Sequence, residues 1–173
     1  GFRECQIFFL QNLKKISILI PTYNEEASLP ALYNSLCNSV FRRGDYEWEV
    51  LFVNDGSKDN TLEVIKKLRE TDKRINYVNL SRNFGKENAM LAGFDYVTGD
   101  CTIIMDADLQ HPPTAIPEMI KYWEDGYEDV YARRNNRGKE SYLRKKLSLT
   151  YYSLLQRSTR IDILQNVGDF RLL

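Results

Sequence analysis

The sequence has only three cysteines, one histidine and two tryptophans in 173 residues, and its 24 basic side chains are matched by 24 acidic ones. Each shortage excludes something. Cys5, Cys37 and Cys101 lie far apart, with no C-x-x-C pair and no histidine at ligand spacing. A cysteine–histidine metal centre is therefore excluded, and ordinary thiols in a reducing compartment are expected. A net charge of zero provides no global field toward nucleic acid or membrane, so only local asymmetry can matter. No apolar run is long enough to cross a bilayer. The first apolar run is not followed by G-x-G-x-x-G, and there is no Walker A loop, which removes the dinucleotide fold and the P-loop phosphate cradle. A D-x-D-x-T nucleophile arrangement, a histidine-rich metal cluster, internal repeats and low-complexity tracts are all missing.

What is present is an alternation. Apolar, β-branched runs at 16–21, 48–53, 75–80 and 101–105 read as strands, and a shorter one falls at 129–132. Between them, helical spacing is seen at Leu29, Leu32, Leu36 and Val40, and at Leu62, Ile65 and Leu68. Further helices are expected over 87–97 and 115–124. A chain of this length forms one domain, and strand–helix alternation predicts an α/β fold, a mostly parallel sheet with helices on both faces. Residues 1–15 read as an N-terminal extension and 16–173 as the domain. The chain starts with Gly1 and stops at Leu173, so both ends are expected to be boundaries within a longer protein.

In a parallel sheet the strand ends share one edge. Three of them are polar here: Pro21-Thr22-Tyr23-Asn24-Glu25, Asn54-Asp55 and Asp106-Ala107-Asp108. Residues i and i+2 of an extended strand share a face, so Asp106 and Asp108 are expected to reach one point just beyond the fourth strand's end, where open α/β sheets bind ligands. Two such acids repel unless a cation sits between them. The economical reading is Mg²⁺ or Mn²⁺, with Gln110 as a further oxygen donor, shared with a phosphate-bearing substrate. A second reading has Asp108 capping the turn before Pro112-Pro113 and Asp106 merely solvated. Tyr23 can lie against a base, Asp55 can accept from a base N–H or a ribose hydroxyl, and Arg82 and Lys86 form a basic loop. Asp55 also opens a turn in which Asp59 and Thr61 are expected to act structurally. His111, between Gln110 and Pro112, is expected to serve the turn rather than catalysis.

Seven basic residues between Arg133 and Lys146 face one acid, Glu140. They run into a predicted amphipathic helix over 142–159, with Leu143, Leu147, Tyr151, Leu154 and Leu155 on one side. Such a segment suits an anionic bilayer surface, and it equally suits a solvated loop followed by a core-packing helix.

The set Ile-Pro-Thr-Tyr-Asn-Glu, Asn-Asp-Gly-Ser-Lys-Asp-Asn-Thr, Ser-Arg-Asn-Phe-Gly-Lys and Met-Asp-Ala-Asp-Leu-Gln-His-Pro-Pro resembles family 2 glycosyltransferases of the GT-A fold. Within them it is most similar to the polyprenyl-phosphate branch, the dolichyl-phosphate mannose synthases and bactoprenol glucosyltransferases. The resemblance implies a nucleotide-sugar donor, with Pro21, Tyr23, Glu25, Asp55, Lys86 and Asp106 around the nucleotide. It implies Asp106, Asp108 and Gln110 as metal ligands and Arg133 and Asp169 as further catalytic residues. It also implies Arg144, Lys145 and Arg171 as ligands of an acceptor phosphate, the last from Gly168-Asp169-Phe170-Arg171. The expected activity is an inverting, metal-dependent transfer from a nucleotide-sugar, UDP-sugar favoured, to a polyprenyl phosphate lipid at the cytoplasmic face of a membrane, the chain itself being soluble. No nucleic-acid partner is expected. A soluble or polysaccharide acceptor is one alternative, and a non-catalytic nucleotide-sugar-binding module is another.

Overall fold

A computed structural model describes residues 13–133 and 167–173. The predicted helix over 142–159, with Arg144 and Lys145, lies outside the described residues, as does 1–12 of the N-terminal extension. The described chain runs β1 (Lys15–Thr22), α1 (Leu29–Ser39), β2 (Glu47–Asn54), α2 (Thr61–Thr71), β3 (Ile75–Asn79), α3 (Lys86–Phe94), β4 (Cys101–Ile104), a 3₁₀ turn (Pro113–Ala115), α4 (Ile116–Glu124), β5 (Val130–Arg133) and β6 (Val167–Leu172). β1 begins at Lys15, one residue inside the expected extension.

The six strands form one sheet in the order β3-β2-β1-β4-β6-β5. β1 pairs in parallel with β2 and β4, and β2 with β3. β6 runs antiparallel between β4 and β5, so the sheet is mixed and mostly parallel. The sequence pattern predicts no strand at β6, because Gly168 reads locally as a turn. Phe170 and Leu172 nonetheless alternate inward and are fully buried, the period of a strand with one face on the core.

Side-chain alternation divides the core into two layers. Ile16, Ile18 and Ile20 of β1 join Val50 and Phe52 of β2 and Ile103 of β4 on one face. There they meet Leu29, Leu32 and Leu36 of α1, Ile65 of α2, and Ile116, Met119 and Ile120 of α4. These positions recur at helical spacing, so each helix buries one stripe. Leu19, Leu51 and Val53 point to the other face, covered among the described residues by α3 through Ala89. α3 lies close because Gly93 has no side chain: a Cβ there would come within 2.3 Å of Leu19 Cδ1. The same face carries a buried carboxylate, Glu49, which accepts hydrogen bonds from the Ser17 hydroxyl (2.6 Å) and the Thr98 amide (2.9 Å).

β1, β2 and β3 end level, with Thr22 opposite Asn54 and Asn54 opposite Asn79. Their following loops, and the turn after β4, therefore meet at the carboxyl edge beside the β1–β4 junction. That is where the strand order reverses direction, the usual ligand position in open α/β sheets.

Candidate active site

The loops after β1 and β2 are tied to each other by side chains on backbone amides. Asn24 adopts φ of 55°, a conformation asparagine tolerates better than most residues. Its side-chain oxygen accepts from the Lys58 N–H at 2.8 Å, and its own N–H donates to Ser57 Oγ at 3.0 Å. The Glu25 N–H donates to Thr61 Oγ1 at 2.7 Å, and the Glu26 N–H to Asp59 Oδ2 at 3.2 Å. Burial pushes the Asp59 carboxyl up, but the Thr61 hydroxyl and the amides of Thr61 and Glu26 hold it below the usual aspartate range. Asp59 and Thr61 thus have the structural role read from the sequence.

Asp55 joins the third loop to this pair. It is almost fully buried, and its two oxygens accept from the N–H groups of Phe84 (2.7 Å) and Gly85 (2.9 Å). The base or ribose role expected of Asp55 therefore falls on a carboxylate already engaged with the β3–α3 loop, each oxygen retaining one further lone pair. Gly56, at φ of +65°, allows that loop to pass: a Cβ would sit 2.3 Å from the Arg82 carbonyl carbon. Arg82 turns back over the Phe84 ring at 4.3 Å and is not part of the cavity wall. Lys86, the first residue of α3, reaches Asp106 Oδ1 at 2.5 Å.

The acidic turn departs from the strand geometry expected of it. β4 ends at Ile104, and residues 107–109 form a turn in which Leu109 takes φ of 61°. Met105 still donates its N–H to Leu19 O at 3.2 Å, and beyond it Asp108 Oδ1 accepts from the Gln110 N–H at 3.0 Å, which closes the turn locally. Asp106 and Asp108 consequently approach the cavity from a turn rather than from one face of an extended strand. His111 follows, its ring stacked on Phe170 of β6 (5.2 Å between centroids, 16° between planes).

These loops enclose a cavity of about 310 Å³. Its wall contains Pro21, Tyr23 and Glu25 from the first loop, Asp55 and Lys86 from the second and third, and Asp106 and Asp108 from the acidic turn. Every residue expected around the nucleotide is therefore in one wall. Thr22, Asn83 and Ala107 complete it. No signal in the sequence beyond its Ser-Arg-Asn-Phe-Gly-Lys motif marks Asn83, and its wall position follows from the Asp55 latch on the next two residues. Among the described side chains, Gln110 and Arg171 are not part of the lining. Arg171 is tied to Asp129 (3.2 Å), and Arg133 closes β5 opposite Val167. Asp169 lies in β6. Two larger clefts of about 450 Å³ occur at the opposite sheet edge, but their charged walls are engaged in contacts such as Tyr46–Glu124 and Asp72–Arg74.

The wall has four carboxylates against one ammonium, with Tyr23 roughly 40% exposed as a stacking surface. Such a site rejects a diphosphate unless cations accompany it. Two carboxylates are also a workable donor set for Mg²⁺ or Mn²⁺ when substrate phosphates and waters supply the remaining oxygens. Among the described residues, no group of three or more His, Cys, Asp or Glu is placed to hold a metal by itself.

Comparison with known proteins fits this geometry. A Bacillus subtilis (strain 168) protein, CsbB, whose name places it with glycosyltransferases, is 48% identical over 158 residues, covering 91% of this chain and 47% of its own length. The bactoprenol glucosyl transferase of Shigella phage SfX is 40% identical over 159 residues, covering 92% of this chain and 52% of its own. The chain thus spans about half the length of the curated relatives it matches. Glucosyl-3-phosphoglycerate synthase from Mycobacterium tuberculosis, solved with UDP, superposes with a TM-score of 0.64 at 19% identity, covering 92% of this chain and 56% of that one, a likeness of fold. Residues 17–173 match the glycosyl transferase family 2 pattern, and with the GT-A arrangement of its strands the chain belongs to that family.

Proposed function

We propose that the chain is the donor-binding part of an inverting glycosyltransferase that moves a sugar from a nucleotide-sugar, UDP-sugar favoured, to a polyprenyl phosphate at a membrane surface. The observation that carries this reading is the single cavity wall shared by Tyr23, Asp55, Lys86, Asp106 and Asp108. A relative named bactoprenol glucosyl transferase, 40% identical, supports the acceptor class. Among the described residues no helix is long and apolar enough to cross a membrane. For contact with the bilayer, the basic run from Arg133 to Lys146 is the proposed segment.

The mechanism follows from the charges. Tyr23 receives the base and Pro21 limits its depth. The acceptor phosphate is already ionised at neutral pH and needs no strong general base. Its oxygen attacks the anomeric carbon from the side opposite the nucleoside diphosphate. The new carbon–oxygen bond forms as the bond to the diphosphate breaks, and the configuration inverts. Asp106 and Asp108, with Gln110 nearby, would hold the divalent cation, which supplies charge neutralisation to the departing diphosphate. Lys86 can pass from Asp106 to a diphosphate oxygen within the same wall. In this proposal Arg133 adds charge neutralisation as a donor or acceptor phosphate ligand, Asp169 is a further catalytic residue, and Arg144, Lys145 and Arg171 bind the acceptor phosphate.

Isothermal titration of UDP and GDP, each with and without Mn²⁺, tests it. The expected result is metal-dependent binding of one nucleotide, UDP favoured, lost in Asp108→Ala with the fold intact. No binding of either nucleotide to folded protein, or full metal-dependent affinity in Asp108→Ala, would overturn it.

A further inference from the structure

The only histidine of the chain has a buried nitrogen with no assigned work. His111 Nδ1 is shielded from solvent and has no hydrogen-bond partner among the described residues. An orphaned buried polar atom is destabilising, and a phenylalanine at this position would stack on Phe170 without that cost. An acid lies just out of reach: Asp106 Oδ2 is 3.9 Å away, while Lys86 holds the other oxygen, Oδ1, at 2.5 Å. The Phe170 ring, anchored in β6 and fully buried, fixes the plane of the imidazole.

We propose that His111 is a positioning residue for Asp106. When Lys86 transfers from Oδ1 to the donor diphosphate, the Asp106 carboxyl turns and Oδ2 accepts a hydrogen bond from His111 Nδ1–H. A movement of roughly 1 Å closes the distance to the usual 2.9 Å. Asp106 then keeps a fixed orientation and a donor of its own while its other oxygen faces the metal and phosphates. Carboxylates that ligate metals are commonly held by such outer partners. The stack on Phe170 couples this exchange to β6, the strand that also contains Asp169 and Arg171.

The inference rests on the donor-site reading above, and two substitutions separate them. His111→Phe keeps a ring against Phe170 and removes the donor. His111→Asn keeps a donor close to the Nδ1 position and removes the ring. UDP titration with and without Mn²⁺, Mn²⁺ binding followed by electron paramagnetic resonance, and Tm are measured for both. His111→Phe is expected to lose about 10-fold or more in Mn²⁺-dependent UDP affinity with Tm unchanged or raised. His111→Asn is expected to stay within about threefold of wild type at a lowered Tm. Wild-type affinity in His111→Phe overturns the role. So do losses in both variants that follow Tm, which would mark the histidine as packing alone. Wild-type protein that binds Mn²⁺–UDP while His111→Phe binds it equally well leaves the donor site standing and removes only this inference. Folded wild-type protein that binds neither nucleotide overturns both.

Discussion

Asp55→Asn changes one atom and should be felt across the site. The carboxylate is almost fully buried and accepts from two backbone amides, Phe84 at 2.7 Å and Gly85 at 2.9 Å. A hydrogen bond to a charged group contributes about 1.5–3 kcal/mol, and stranding a buried N–H costs about as much again as a neutral bond contributes. Asparagine has one carbonyl oxygen, so it keeps one bond in weakened form and turns an NH₂ group toward the other amide. A net loss of about 2–3 kcal/mol follows. For a domain of this size that corresponds to a Tm lower by roughly 4–10 °C. If the β3–α3 loop releases locally, the loss shows first as faster hydrogen exchange at Phe84 and Gly85, and Tm falls less. Because Lys86 follows Gly85 directly, Mn²⁺-dependent UDP affinity should drop roughly tenfold, about 1.4 kcal/mol. The assays are thermal unfolding, exchange at those two amides, and UDP titration. Unchanged Tm together with unchanged protection would refute the claim that Asp55 latches this loop.

Three further outcomes are expected. Gly56→Ala places a Cβ 2.3 Å from the Arg82 carbonyl carbon at a φ of +65°, so urea unfolding should show a loss of about 2 kcal/mol or more. Burial pushes the Glu49 carboxyl up, but bonds from Ser17 and Thr98 and the charge of Lys15 hold it below its ordinary value of 4.5. The unfolded chain therefore takes up that proton at higher pH than the folded one. The contribution is complete above about 4.5 and is lost as pH falls below it. Ser17→Ala should flatten this part of the acid limb in urea unfolding followed against pH. Burial also pushes the Cys101 thiol up to about 12, so at pH 8 a thiol reagent should modify half-buried Cys37 and reach Cys101 only on unfolding.

Strands β1 to β4 and their helices were legible because their signals are local: β-branched runs for the strands, and Leu29, Leu32 and Leu36 at helical spacing for α1. The polar strand ends gave the cavity wall for the same reason, since parallel pairing alone brings them to one edge. What sequence spacing did not contain was side-chain competition for backbone amides. Asp108 bonds the Gln110 amide in a turn that follows the end of β4, so Asp106 and Asp108 do not share one extended strand although both acids reach the cavity. Asp55 finds partners 29 and 30 residues away, which no local pattern encodes. β6 was hidden by Gly168 and Asp169, which read as a turn. Its Phe170 and Leu172 alternation is too short to stand without the pairing to β4 and β5.

The same hydrogen bonds divide the site into two halves of different stiffness. The loops after β1, β2 and β3 are fastened to one another through Asn24, Ser57, Asp59, Thr61 and Asp55, each acting on a backbone amide of a neighbouring loop. Their order is set before a ligand arrives, so a base and ribose held there incur little ordering entropy. Between the acidic turn and those loops, the Lys86–Asp106 ion pair is the prominent tie, with side chains 37% and 25% exposed. A pair that open to solvent contributes little to stability and can be exchanged cheaply. The arrangement fits the chemistry. A nucleotide has one shape throughout the reaction and suits a rigid receptor. In the proposed transfer the diphosphate separates from the sugar and gains charge, and it would meet the half of the site whose ion pair can be re-formed around it.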